Sequence, residues 1–112
     1  MDSSKYAVII SDDAKKDIVD VLNYISENLF NPTAANKLWE EMKDAVNRAS
    51  MFPYAMQEFK DEKITQGKSY RRLDVNNYVL IYRIKEEQKE IYVLAVFYAP
   101  SNLAARILNR IN

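Results

Sequence analysis

Histidine and cysteine are both missing from this 112-residue chain, which carries 16 Lys/Arg, 16 Asp/Glu and 8 Tyr. Thiol chemistry, disulfides and zinc sites of the usual ligands are therefore excluded, and any proton transfer falls to Glu, Asp, Lys or Tyr. The side chains best suited to chemistry or recognition crowd into one stretch, Tyr70 to Tyr98. Within it Arg72 and Arg83 could hold an anion, while Tyr70, Tyr92 and Tyr98 offer phenols for hydrogen bonding or stacking. A single glycine, Gly67, rules out the Gly-rich phosphate loops of P-loop, kinase and Rossmann proteins. No cofactor or metal is expected.

Positioning these groups is the task of a three-stranded antiparallel meander. Runs dense in Val, Ile, Leu and Tyr are separated by Asn76-Asn77 and by the charged Glu86 to Lys89, both turn-like. Asn tolerates the positive φ that a two-residue hairpin loop demands, so Val75 pairs with Tyr78 and the register runs outward to Tyr70 with Arg83. Across the second turn, Lys85 pairs with Glu90 and Arg83 with Tyr92. Alternation then predicts one apolar face of Leu73, Val75, Tyr78, Leu80, Tyr82, Ile84, Ile91, Val93, Ala95 and Phe97, with Arg71 its only charge. The opposite face carries Tyr70, Arg72, Asp74, Val79, Ile81, Arg83, Tyr92, Leu94, Val96 and Tyr98. Such a mixed face suits a ligand or partner; the plainer alternative is a half-solvated outer surface partly covered by the last helix.

Before the meander, Tyr6 to Ile10 has the character of another strand, buried or nearly so. Ser11 and Asp12 supply caps for a helix whose apolar stripe is Ala14, Ile18, Val21, Leu22, Ile25 and Leu29. Asn31-Pro32 ends it and starts a second helix with the stripe Ala35, Leu38, Trp39, Met42, Ala45, Val46 and Ala49. So short a connection makes Asp12 to Phe30 and Pro32 to Ser50 an antiparallel hairpin. Ala55 to Ser69 reads as one long loop, placing Lys60, Lys63 and Lys68 beside the meander. Beyond Ala99-Pro100, Ser101 can cap a final helix containing Leu103, Ala104, Ile107, Leu108 and Ile111. The expected fold is α+β: a mostly antiparallel four-stranded sheet, order β-α-α-β-β-β-α, with helices gathered on one side.

At this length one domain over residues 1–112 is expected. No basic-plus-apolar leader and no run of about 18 apolar residues occurs, so the expected location is cytoplasmic, away from membranes. Formal charge is zero, but residues 1–59 hold 6 Lys/Arg against 10 Asp/Glu and residues 60–112 hold 10 against 6. The positive half therefore lies on the sheet, without the broad basic field of a nucleic-acid binder.

The hairpin split at Asn31-Pro32 with Ala34-Ala35 after it, Phe52-Pro53 at its exit, then Tyr70-Arg71-Arg72-Leu73 and Asn77 to Arg83, resembles the RelE/ParE superfamily of bacterial toxins. That resemblance covers nearly the whole chain. It implies the toxin of a type II toxin–antitoxin, or plasmid stabilisation, module that arrests growth, is neutralised by a cognate antitoxin, and forms a heterotetramer or larger complex with it. RelE-like members are ribosome-dependent mRNA endoribonucleases, or mRNA interferases, whose outer-face cations hold the scissile phosphate. Here Arg72 takes one such place, but the central-strand arginine position is Val79, another falls near Ala99, and a closing-helix tyrosine falls near Ala105. Losing one positioned group of that kind costs about 10² to 10³ in rate. Arg72, Arg83 and Tyr98 are the catalytic candidates left for an atypical nuclease. The long hairpin looks like the ParE branch, which poisons DNA gyrase and needs no catalytic set; Tyr70, Arg72, Arg83, Tyr92 and Tyr98 then line the antitoxin- or target-binding face. A third implied outcome is a degenerate member that binds antitoxin without harming cells.

Overall fold

A computed structural model describes residues 5–58, 68–100 and 102–111. Asn76 adopts a left-handed φ of 55°, and the two strands it joins, β3 (Tyr70–Val75) and β4 (Tyr78–Lys85), pair in the expected register from Val75↔Tyr78 to Tyr70↔Arg83. A 3₁₀ turn closed by Lys89 at φ 54° leads into β5 (Glu90–Tyr98), again with Lys85↔Glu90 and Arg83↔Tyr92. Among the described residues the sheet has five strands, one more than expected. Its order is β1-β5-β4-β3-β2, where β1 is Ala7–Ile10 and β2 is the two-residue strand Gln57–Glu58 within the segment read as loop. Lys60, Lys63, Gly67 and the capping role of Ser101 fall outside the described residues.

One irregularity reorganises the predicted faces. Ile81 pairs with Ala95 but Tyr82 pairs with Val93, so Leu94 is an extra residue, a β-bulge that flips the alternation of everything after it. Ala95 and Phe97, expected under the helical hairpin, join Tyr70, Val79, Ile81 and Leu94 on the opposite face. Val96 moves the other way into the main core. Tyr98 also moves, with its ring 5.5 Å from that of Tyr78. The bulge arises where β1 ends: Ile10 is opposite Val93, and beyond it the outer edge of β5 has no neighbouring strand. Its orphaned backbone groups are satisfied by side chains instead. Val96 N–H donates to Asp17 Oδ2 (2.9 Å), and Leu94 C=O accepts from Arg110 Nη1 (2.8 Å). Arg110 in turn grips Asp17 at 3.0 and 3.2 Å through its two terminal nitrogens, which raises the arginine's pKa.

Helix α1 (Asp12–Asn23) begins with Ser11 Oγ accepting from Ala14 N–H, and α2 (Pro32–Met51) with Asn31 Oδ1 accepting from Ala34 N–H. Both caps follow from residue type. Between the helices, Tyr24–Asn28 widens into a π turn, and the chain reverses at Phe30 with φ 51°, a conformation usually left to glycine. Leu29, expected in the apolar stripe, is consequently turned out and 54% exposed. The hairpin buries Ile18, Leu38, Met42, Ala45 and Ala49 against Leu80, Tyr82, Ile91 and Val93. Tyr82 is fully covered; its hydroxyl donates to Pro53 C=O at 2.5 Å, and burial pushes its pKa up to about 12. Trp39 packs against this core, half-buried.

Two expectations about packing fail. Strand β1 is not buried: Val8 and Ile9 are 36% and 40% exposed, because β1 is an edge strand beside β5 only. Nor do all helices share one side of the sheet. Helix α3 (Leu103–Ile111) sets Ile107, fully buried, against Val79, Ile81 and Phe97 on the face opposite the hairpin. Arg106 and Arg110 lie 4.9 and 5.1 Å from the Phe97 ring centre, adding cation–π attraction to this packing.

The exit of α2 is held by a polar cluster. Arg71 Nη1 donates to the carbonyls of Tyr54 (3.0 Å) and Met56 (2.7 Å), and Glu86 accepts from the hydroxyls of Tyr6 (2.6 Å) and Tyr54 (2.7 Å) and from Lys89. Lys89 and the two phenols together hold the Glu86 carboxyl down at about 2.

Breaking a fully buried ion pair from one side costs roughly 3–5 kcal/mol; the side chains of Asp17 and Arg110 keep 16% and 21% of their surface exposed, so Asp17→Ala is expected to lose about 2–3 kcal/mol. Asp17→Asn, which keeps an acceptor for Val96, should recover part of it. Urea denaturation measures both, and an unchanged midpoint for Asp17→Ala would remove the clamp from the account of stability. For Glu86, a folded pKa below its ordinary 4.5 means a contribution present above pH 4.5 and lost as pH falls through about 2. Glu86→Gln should therefore differ from the parent chain in denaturant midpoint at pH 5 and converge on it at the acid end.

Candidate functional site

The antiparallel register lines up Tyr70, Arg83 and Tyr92 in one row across β3, β4 and β5, since Tyr70↔Arg83 and Arg83↔Tyr92 are direct partners. Directly opposite residues in such a ladder lie about 4.5–5.5 Å apart at Cα, so the three side chains stand shoulder to shoulder. They form the floor of a pocket of about 260 Å³ walled by Leu94, Ile111 and Arg110 and rimmed by Lys68 and Asp13. Tyr70 is buried at 5% exposure; Arg83 and Tyr92 are half-buried, and Lys85 Nζ sits 4.5 Å from the Tyr92 ring centre.

Three of the five side chains singled out in the sequence thus meet in one place. Arg72 points to the same face two residues along β3, and its Nε and Nη2 both donate to Asp74 Oδ1, at 3.1 and 2.7 Å. Tyr98 does not join them. The bulge carries it to the hairpin side, where it is 46% exposed and lines an open groove of about 880 Å³ with Tyr24, Leu29, Tyr78 and Arg106. Phe30, beside this groove in sequence, is the most exposed of the large apolar residues described, at 88%.

Arg110 and Asp13 were not among the site residues singled out in the sequence. Nothing local marks them: Arg110 is one of several charges on a short amphipathic helix, and its role appears only once α3 folds back to α1. Asp13, 72% exposed, lies 3.9 Å from Arg110. Among the described residues, neither Arg83 nor Lys68 has an ion-pair partner. The arrangement can bind an anion with two cations and two flanking phenols. As a proton-transfer apparatus it is poor, because its only carboxylate is exposed and turned towards Arg110. No group of three or more metal-binding side chains occurs among the described residues.

The positions where an RNA-cleaving set was sought are now visible. Val79 has no exposed surface and lies under α3, Ala99 is half-buried against the same cluster, and Ala105 faces solvent. No helix among the described residues is long and apolar enough to cross a membrane.

Several solved structures have similar folds, among them these three. A chain of the chromosomal ParDE toxin–antitoxin system from P. aeruginosa superposes with a TM-score of 0.67 at 17% identity, covering 86% of this chain and 98% of that one. The toxin–antitoxin complex RelBE2 from M. tuberculosis gives 0.58 at 19% identity, covering 84% and 98%. A free mutant of the E. coli toxin RelE gives 0.58 at 12% identity, covering 96% and 97%. Identities this low speak for the fold alone. Curated proteins give no significant match. The family model for the ParE toxin of type II toxin–antitoxin systems, parDE, matches residues 8–102, from β1 to the residue before α3, and the chain belongs to that family.

Proposed function

We propose that this toxin arrests growth by binding a protein target, DNA gyrase, and is neutralised by a cognate antitoxin that covers part of its surface. The observation that carries the reading is Val79. At the central-strand position where the RNA-cleaving relatives are expected to carry an arginine, this chain has an aliphatic residue sealed beneath α3, with no exposed surface. Cleavage through a neighbouring 2′-hydroxyl builds negative charge at phosphorus, and that charge needs donors already aimed at it. Arg72 is the one candidate cation that remains from that set, and it is bonded to Asp74. Binding a protein asks for less: shape, exposed anchors and a few charges left without partners. The family match to ParE toxins and the long helical hairpin support the same branch.

Inducing the chain alone in a bacterial host, with plasmid topology, gyrase-linked DNA breaks and messenger RNA ends followed in the same cultures, tests the reading. Growth arrest with gyrase-linked breaks and unchanged RNA ends is expected. New codon-phased RNA ends with normal supercoiling would overturn it in favour of a ribosome-dependent nuclease. Unimpaired growth would overturn it in favour of an inactive member.

A further inference from the structure

We infer that the pocket floored by Tyr70, Arg83 and Tyr92 receives the carboxylate of one Asp or Glu side chain from a protein partner; this rests on the protein-binding function proposed above. The argument is a charge inventory of one sheet face. Arg72 is bonded to Asp74, Lys85 stands opposite Glu90 in the ladder and over the Tyr92 ring, and Arg110 grips Asp17 with both terminal nitrogens. Among the described residues, only Arg83 and Lys68 on this pocket are left without an acid. Arg83 is half-buried between two tyrosines, so its guanidinium is restrained and partly desolvated, which favours a two-pronged bond to a planar carboxylate.

The same inventory disfavours a nucleic-acid strand. A phosphodiester chain needs cations repeating along its path, each releasing counterions as it neutralises a phosphate. Among the described residues, Arg72 and Lys85 beside the pocket each face an acid, the rim carries Asp13, and the whole chain is formally neutral. A carboxylate seated there fixes where a partner segment sits, because misplacing it would leave Arg83 unpaired.

The test follows the Arg83 Nε–Hε resonance while N-acetylglutamate N-methylamide is added at constant ionic strength, with inorganic phosphate and a single-stranded oligoribonucleotide as competing probes. A saturable shift is expected, weakened at least about tenfold in Arg83→Gln, less in Arg83→Lys, and unaltered by Lys37→Gln on the exposed side of α2. In the glutamine variant, where the reporter is gone, the backbone amides of Tyr70 and Tyr92 are read instead, and their dispersion confirms folding. A shift matched by sodium chloride, or unchanged in Arg83→Gln, overturns the site. Phosphate or RNA binding about tenfold tighter than the glutamate probe overturns the choice of partner. Failure of the probe in a chain that still produces gyrase-linked breaks sinks this inference and leaves the function standing; a bound probe with codon-phased RNA cleavage does the reverse.

Discussion

The outer edge of β5 beyond Ile10 is the constraint on which the rest depends. A strand inside a sheet cannot leave its backbone amides and carbonyls bare, and β1 is too short to cover them all. The solution joins three elements at one point. Asp17 reaches from α1 to Val96 N–H, Arg110 reaches from α3 to Leu94 C=O, and the two side chains bond to each other. Ser11, at the end of β1, adds its own N–H to Val93 C=O at 2.9 Å. The bulge at Leu94 is the geometric counterpart of this junction. Through it the junction decides which face every later residue of β5 presents.

That decision explains how the two faces came to differ. Before the bulge, Ile91 and Val93 point under the hairpin and Tyr92 points to the pocket; after it, Ala95 and Phe97 lie on the pocket side and supply the apolar bed for Ile107. Had alternation continued, Phe97 would lie beneath the hairpin and Tyr98 on the same face as Tyr92, and α3 would lose its cation–π partner. The pocket exists because α3 covers only part of the face, sealing Val79 and Ile81 while leaving the Tyr70–Arg83–Tyr92 row at its margin. The same shift sends Tyr98 to the open groove at the hairpin tip, away from the pocket that holds Arg83 and Lys68.

How much of this was legible in the sequence follows the range of the interactions involved. The first hairpin register was readable because two adjacent asparagines set it, and both helix starts were readable because Ser11 and Asn31 cap three residues ahead. These are local signals. The bulge had none: Leu94 sits in an unbroken apolar run, and what makes it bulge is an aspartate 77 positions before it and an arginine 16 after. The same limit hid the exposure of β1, whose four apolar residues cannot say whether they lie at the centre or edge of a sheet. Of the candidate site, the row Tyr70, Arg83 and Tyr92 came from register alone, whereas its walls came from packing.

The charge asymmetry along the chain takes on a different meaning in this light. An acidic first half and a basic second half placed the positive charge on the sheet, yet the halves spend much of their charge on each other. Asp13 and Asp17 from the acidic half face Arg110 from the basic half across the bulge junction. Within the basic half, Arg72 faces Asp74, and Glu86 draws in Lys89. The polarity is therefore largely an instrument of folding, holding α3 and the turns in place. A neutral chain whose opposite charges meet internally has little long-range field with which to attract nucleic acid. Its discrimination comes at short range, through whatever groups folding leaves unmatched. Among the described residues of the pocket, Lys68 and Arg83 are such groups, and the pair suits the single carboxylate proposed above.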